Sequence, residues 1–140
     1  MAICRFNCPE VAEVLLSSGA RPSLVDSLNN NALHHAVRRR NKEMVYMLVR
    51  DTDIDVNTKT QVGLTALHLV CINGDKEICQ TLLRHGADIT AKTAELSTPL
   101  QVAIFSCNTS LAEMLIKQGW LETLFSLCSN FRLRVDRSLK

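Results

Sequence analysis

Apolar residues recur at helical spacing in four stretches of the chain. They are Val11, Val14, Leu15 and Leu16; Met44, Val45, Met47 and Leu48; Ile78, Leu82 and Leu83; and Leu111, Met114 and Leu115. This periodicity predicts four helices, each with one buried face. Gly19, Gly86 and Gly119 follow three of them, as glycine does where a helix ends in a left-handed turn. The second stretch lacks that glycine and runs instead into Asp51-Thr52-Asp53-Ile54-Asp55, one residue longer. A shorter apolar stretch precedes each of the last three. Asn31, Thr65 and Thr98 stand where an N-cap is needed, and Pro99 suits the first helical position. Leu33, Leu67 and Leu100 open the buried face, and Ala36, Val70 and Ala103 let neighbouring helices approach. Between the paired helices the backbone wants positive φ. Gly74 supplies it freely, whereas the equivalent Asn7, Arg40 and Cys107 do so under strain, about 1 kcal/mol for Arg and Cys.

The stretches are copies of one another. Asn31-Ala32-Leu33-His34-His35-Ala36, Thr65-Ala66-Leu67-His68-Leu69-Val70 and Thr98-Pro99-Leu100-Gln101-Val102-Ala103 are spaced by 34 and 33 residues. A partial fourth copy lies in front, with Gly19 in register with Gly86 and Val11 with Ile78. On this register the chain starts inside a first helix. The period and the T-P-L-H-x-A pattern resemble the ankyrin repeat, with Gly63 to Ala91 the best copy. The resemblance implies an all-α solenoid of stacked helix-turn-helix units with projecting hairpin-like fingers. Residues 1–119 form the repeats: 1–30 a partial first repeat with its following finger, then 31–64, 65–97 and 98–119. Residues 120–140 remain as a capping helix and basic tail.

Composition narrows the class. The 140 residues are 46% hydrophobic and 21% charged, which excludes a disordered chain. A formal net charge of +2 gives no general pull towards nucleic acid or anionic membranes. Six cysteines are too few for a disulfide scaffold. No apolar run is long enough for a membrane span. A cytoplasmic and/or nuclear protein without a membrane partner is expected.

Chemistry is not written into the residues. No phosphate-cradling loop, nucleophile elbow or carboxylate pair is present, so no enzyme, catalytic residue or cofactor is expected. Cys4-x3-Cys8 and Cys71-x7-Cys79 lack zinc-site spacing, so no metal is expected. Asp51, Asp53 and Asp55 lack the glycine and terminal glutamate of a calcium loop. His34 and His68 read as buried turn-bracing residues. Asn57 reads as a turn organiser, although the family also uses this asparagine as a hydroxylation substrate.

The resemblance implies protein binding through finger tips and the exposed side of the first helices. The tips are Ser27, Leu28 and Asn30; Gln61, Val62 and Leu64; and Ala94, Glu95 and Ser97. The helix positions are Arg38 with Arg39, Ile72 with Asn73, and Phe105 with Ser106. The candidate partner-binding residues are therefore Leu28, Arg38, Arg39, Gln61, Val62, Ile72, Asn73, Glu95 and Phe105. Leu28, Val62, Ile72 and Phe105 form an apolar strip beside arginines suited to an acidic partner. Nucleic acid is not the expected partner, because neither basic cluster, Arg38-Arg39-Arg40 with Lys42 or Arg132, Arg134, Arg137 and Lys140, carries interleaved aromatics.

Leu121, Leu124, Phe125, Cys128 and Phe131 fall on one helical face, which suits a helix covering the last repeat. Thr123-Leu124-Phe125-Ser126-Leu127-Cys128 also resembles the start of a SOCS box. That gives an alternative: a ubiquitin-ligase substrate adaptor with an elongin-type partner. The aliphatic position of that motif holds Arg132, and its downstream half is missing. At the front, Ile3, Val11 and Leu15 should face outward at an unsealed end.

Overall fold

The computed structural model describes residues 8–119. Its helices are α1 (Pro9–Ser17), α2 (Ala32–Arg38), α3 (Lys42–Asp51), α4 (Ala66–Asn73), α5 (Lys76–Arg84) and α6 (Pro99–Phe105). A seventh, α7, covers the described residues 109–119. The short first helices α2, α4 and α6 pack side by side in one row. The second helices form the other, with α1 against α3 and α3 against α5. Leu33, Leu67, Ala36, Val70 and Ala103 are buried between the rows, with Val45, Leu48, Ile78, Leu82, Leu111 and Leu115 opposite them. The paired helices of each unit pack on each other and on the adjacent units, as in a solenoid.

Each first helix starts on the same reciprocal device. Asn31 accepts the His34 amide through Oδ1 at 3.1 Å, and its own N–H donates to His34 Nδ1 at 3.2 Å. The Thr65 N–H donates to His68 Nδ1 at 3.1 Å. His68 Nε2 then donates to the Ser97 carbonyl at 3.1 Å, tying the helix to the next finger. In the last copy the Thr98 N–H donates to Gln101 Oε1 at 2.8 Å, so an amide does the work of the imidazole. The histidines are structural, as their sequence position implied.

The loops between helices have the strained geometry expected of them. Gly74 has φ +79°, Arg40 +54° and Cys107 +57°. Asn7 lies outside the described residues. Cys107 is exposed and gains nothing from that conformation. Cys107→Gly should therefore raise stability by about 1 kcal/mol, read as a higher denaturant midpoint at unchanged slope.

Gly19 and Gly86 take the left-handed turn, at φ +88° and +84°. Gly119 does not. It remains within α7, because glycine permits the left-handed turn without requiring it. The capping helix and basic tail read into 120–140 lie outside the described residues, as does Ile3. At the front, Val11 and Val14 are exposed, and Leu15 is half-buried.

Candidate functional site

The fingers are hairpin turns spanning 26–30, 60–64 and 93–97. In each, the first residue's N–H donates to the carbonyl four residues on, from Asp26, Thr60 and Thr93 at 2.9–3.0 Å. Each turns on a residue of positive φ: Asn29 (+61°), Gly63 (+78°) and Leu96 (+61°). The tips are thus 27–29, 61–63 and 94–96, which corrects the sequence reading at three positions. Asn30 is buried, and Leu64 and Ser97 are partly so, because each lies on the strand-like return towards its helix. Leu96 is exposed at the tip instead.

Polar groups hold the fingers rigid. Asp26 accepts the Leu28 and Asn30 amides at 2.9 and 2.8 Å and pairs with His35 Nε2 at 3.0 Å. These donors, the Asn30 amide first, lower the Asp26 pKa to about 2. Thr60 and Thr93 accept the Leu64 and Ser97 amides through their hydroxyls. Adjacent fingers are joined by Gln61 N–H to the Leu28 carbonyl at 2.9 Å and Ala94 N–H to the Val62 carbonyl at 3.1 Å. A Cβ on Gly63 would sit 2.6 Å from the Ala94 nitrogen, against backbone that cannot turn aside. Gly63→Ala should cost about 1–2 kcal/mol from its left-handed backbone alone. It should also speed amide exchange at Ala94.

On the opposite side of the first-helix row, asparagines join the units. Asn73 Nδ2 donates to the Val37 carbonyl at 2.8 Å, and Asn108 Nδ2 to the Cys71 carbonyl at 2.6 Å. Asn73 is half-buried in this role. It braces the stack, a role that the sequence reading did not assign to it. Its amide N–H shares the Val37 carbonyl with the Arg40 backbone N–H, which donates to the same oxygen at 2.9 Å. Asn57 also works between units: Nδ2 donates to the Gly86 carbonyl at 3.1 Å, and Oδ1 accepts the Asp88 amide at 2.8 Å.

The other candidates lie on the surface. Leu28, Val62, Ile72 and Phe105 are all exposed, Phe105 at 81%. Arg38, Arg39, Gln61 and Glu95 are exposed too. The basic cluster divides. Arg40 donates Nη2 to the Asn73 carbonyl at 2.7 Å, and Lys42 pairs with Glu77. Arg38 and Arg39 make no ion pair among the described residues. Val62, Glu95 and Phe105 come together around a groove of about 430 Å³, with Leu64, Thr93, Ala94, Ser97, Val102 and Ser106 completing its walls. Leu28, Arg38, Arg39, Gln61, Ile72 and Asn73 do not line it.

The chemistry of the remaining polar groups is that of packing. Burial pushes the Cys71 and Cys79 thiols up to about 12 and about 11, so both stay protonated. Asp51 pairs with Arg50 at 2.6 Å, and Asp55 accepts the Asn57 amide at 2.9 Å. Among the described residues no three histidines, cysteines or acids are grouped to hold a metal ion. None of the described helices is long and apolar enough to cross a membrane.

Stacked helix pairs, capping-box histidines and hydrogen-bonded fingers define an all-α repeat solenoid. The chain belongs to the ankyrin-repeat family: the family model for ankyrin repeats, in three copies, matches residues 1–93 and 51–122. It is 42% identical over 89 residues to tyrosine-protein kinase HTK16 of Hydra vulgaris, covering 62% of this chain and 12% of that protein. It is 32% identical over 113 residues to human transient receptor potential cation channel subfamily A member 1, covering 81% and 10%. It is 36% identical over 93 residues to bovine ankyrin repeat and SOCS box protein 3, covering 65% and 18%. The chain thus spans less than a fifth of the length of each of these three relatives. Ankyrin repeats are in general protein-interaction modules.

Proposed function

We propose that this chain is a non-enzymatic scaffold module that binds a protein partner along its finger tips and first-helix row. The observation that carries this reading is Phe105, an 81%-exposed aromatic beside exposed Val62 at the mouth of a groove. The stack does not need to bury either residue. Large apolar side chains left exposed side by side at a groove mark a surface for a partner. The test is proximity labelling with wild type against Val62→Ser/Phe105→Ser, with far-UV circular dichroism confirming the fold. Partners lost from the variant support the reading. An unchanged partner set overturns it. We place the module in the cytoplasm or nucleus, which microscopy of the tagged chain checks.

A second reading makes the chain a ubiquitin-ligase substrate adaptor. It rests on the SOCS-like Thr123–Cys128 segment, outside the described residues, and on likeness to a relative that carries a SOCS box in its name. Pull-down of elongin B/C, lost on Leu124→Ser and Cys128→Phe, would support it. Absence of tail-dependent capture would remove it.

A further inference from the structure

The repeat register arranges the exposed candidates into two parallel rows. Arg38, Ile72 and Phe105 occupy one repeat position, at the ends of α2, α4 and α6. Leu28, Val62 and Glu95 occupy another, at the tips of the three fingers. The chemistry runs in opposite directions along them. The helix row begins basic, with Arg39 adjoining Arg38, and ends aromatic. The finger row begins apolar and ends acidic. All six side chains are exposed. Every other cation of the Arg38–Lys42 cluster is already engaged by Asn73 or Glu77.

We propose that the face formed by these two rows binds a charge-polarised peptide segment of a partner protein. One end of the segment carries acidic residues that meet Arg38 and Arg39. The other end inserts a large apolar side chain into the groove between Val62 and Phe105, with a basic residue beside it facing Glu95. This assignment rests on the interaction-module reading and specifies its ligand. Helices packed side by side lie about 8–10 Å apart. The acidic residues and the anchor are thus separated by roughly two such steps, about 16–20 Å. Among the described residues the two guanidiniums meet no acceptor, and a carboxylate satisfies them through paired hydrogen bonds. Glu95 beside the groove opposes a uniformly anionic ligand, so the face suits a segment of mixed sign rather than a polyanion.

The probe is a phage-displayed library of random peptides, about 16 residues long, panned against the full chain. That length spans the two-step separation when extended at about 3.3 Å per residue. The expected enriched peptides combine acidic residues, a large apolar residue and a neighbouring basic one. Binding of a synthetic enriched peptide should fall at least about tenfold in Arg38→Glu/Arg39→Glu. It should be regained when the peptide's acids are changed to lysine. Phe105→Ser should weaken binding of both peptides alike. Rescue by charge exchange is a readout that mere unfolding of the variant cannot produce. Enriched peptides that need Phe105 but are indifferent to Arg38→Glu/Arg39→Glu would overturn the polarity while leaving the interaction surface in place. Acidic peptides that bind Phe105→Ser as well as wild type would also overturn it. Enriched peptides insensitive to both variants would remove the surface itself.

Discussion

Leu67→Ala should destabilise the solenoid by about 2–5 kcal/mol, the cost of a large-to-small change in a closed core. Leu67 has no exposed surface and sits on α4, which packs against α2 on one side and α6 on the other. In a linear array each unit is held only by its neighbours, so a cavity in the middle weakens both interfaces. The matched control is Ile104→Ala on α6, where the side chain is 58% exposed and the change should stay within about 0.5 kcal/mol. Urea denaturation followed by circular dichroism measures both. The expected sign of a split array is a broadened or two-step transition in Leu67→Ala. Equal midpoints for the two variants would contradict the described core.

The second large effect is on pH dependence. Burial lowers the pKa of both His34 and His68 from the ordinary 6.5. The unfolded chain therefore takes up protons below about pH 6.5 that the folded chain resists, and stability falls as pH falls. The contribution is complete above the unfolded value and is lost as pH drops towards the depressed folded value. Carboxylates such as Asp26, held at about 2, lose their contribution only at lower pH. The melting temperature should therefore decline between about pH 7 and 5 before any carboxylate phase begins. Gln101 shows how to remove the effect, since its amide oxygen accepts the Thr98 N–H without titrating. His34→Gln/His68→Gln should flatten the profile across that window. A profile as steep in the double variant as in wild type would place the titration elsewhere.

Most of the fold was legible because the repeat supplies its own internal comparison. The caps at Asn31, Thr65 and Thr98 and the strained turns at Arg40 and Cys107 followed from matching copies. The misread positions share a physical cause. Asn29 and Asn30 are chemically identical, and only the register with Gly63 tells which one takes positive φ. Leu96 opposes its own backbone propensity and is held there by the Leu96 N–H to Thr93 carbonyl bond of the turn at 3.0 Å. Asn73 stands at a surface position by register, yet its side chain is long enough to reach the preceding helix end. Of the proposed binding face, register alone identified the exposed residues. Which of them converge depends on the three-dimensional packing of the fingers on the helices, and among the candidates only Val62, Glu95 and Phe105 line one groove.

The ties between units run along both margins of the first-helix row: backbone bonds between fingers on one side, Asn73 and Asn108 on the other. A sheet of slats laced along both edges resists twisting as well as splaying. The face therefore behaves as a ruler whose graduations are the repeat steps. On the proposed reading a partner brings side chains already spaced to those marks, because these ties leave the module little adjustment. Recognition of this kind selects on spacing as much as on chemistry. Inserting or deleting one residue between a partner's acidic end and its anchor should weaken binding as strongly as removing either contact.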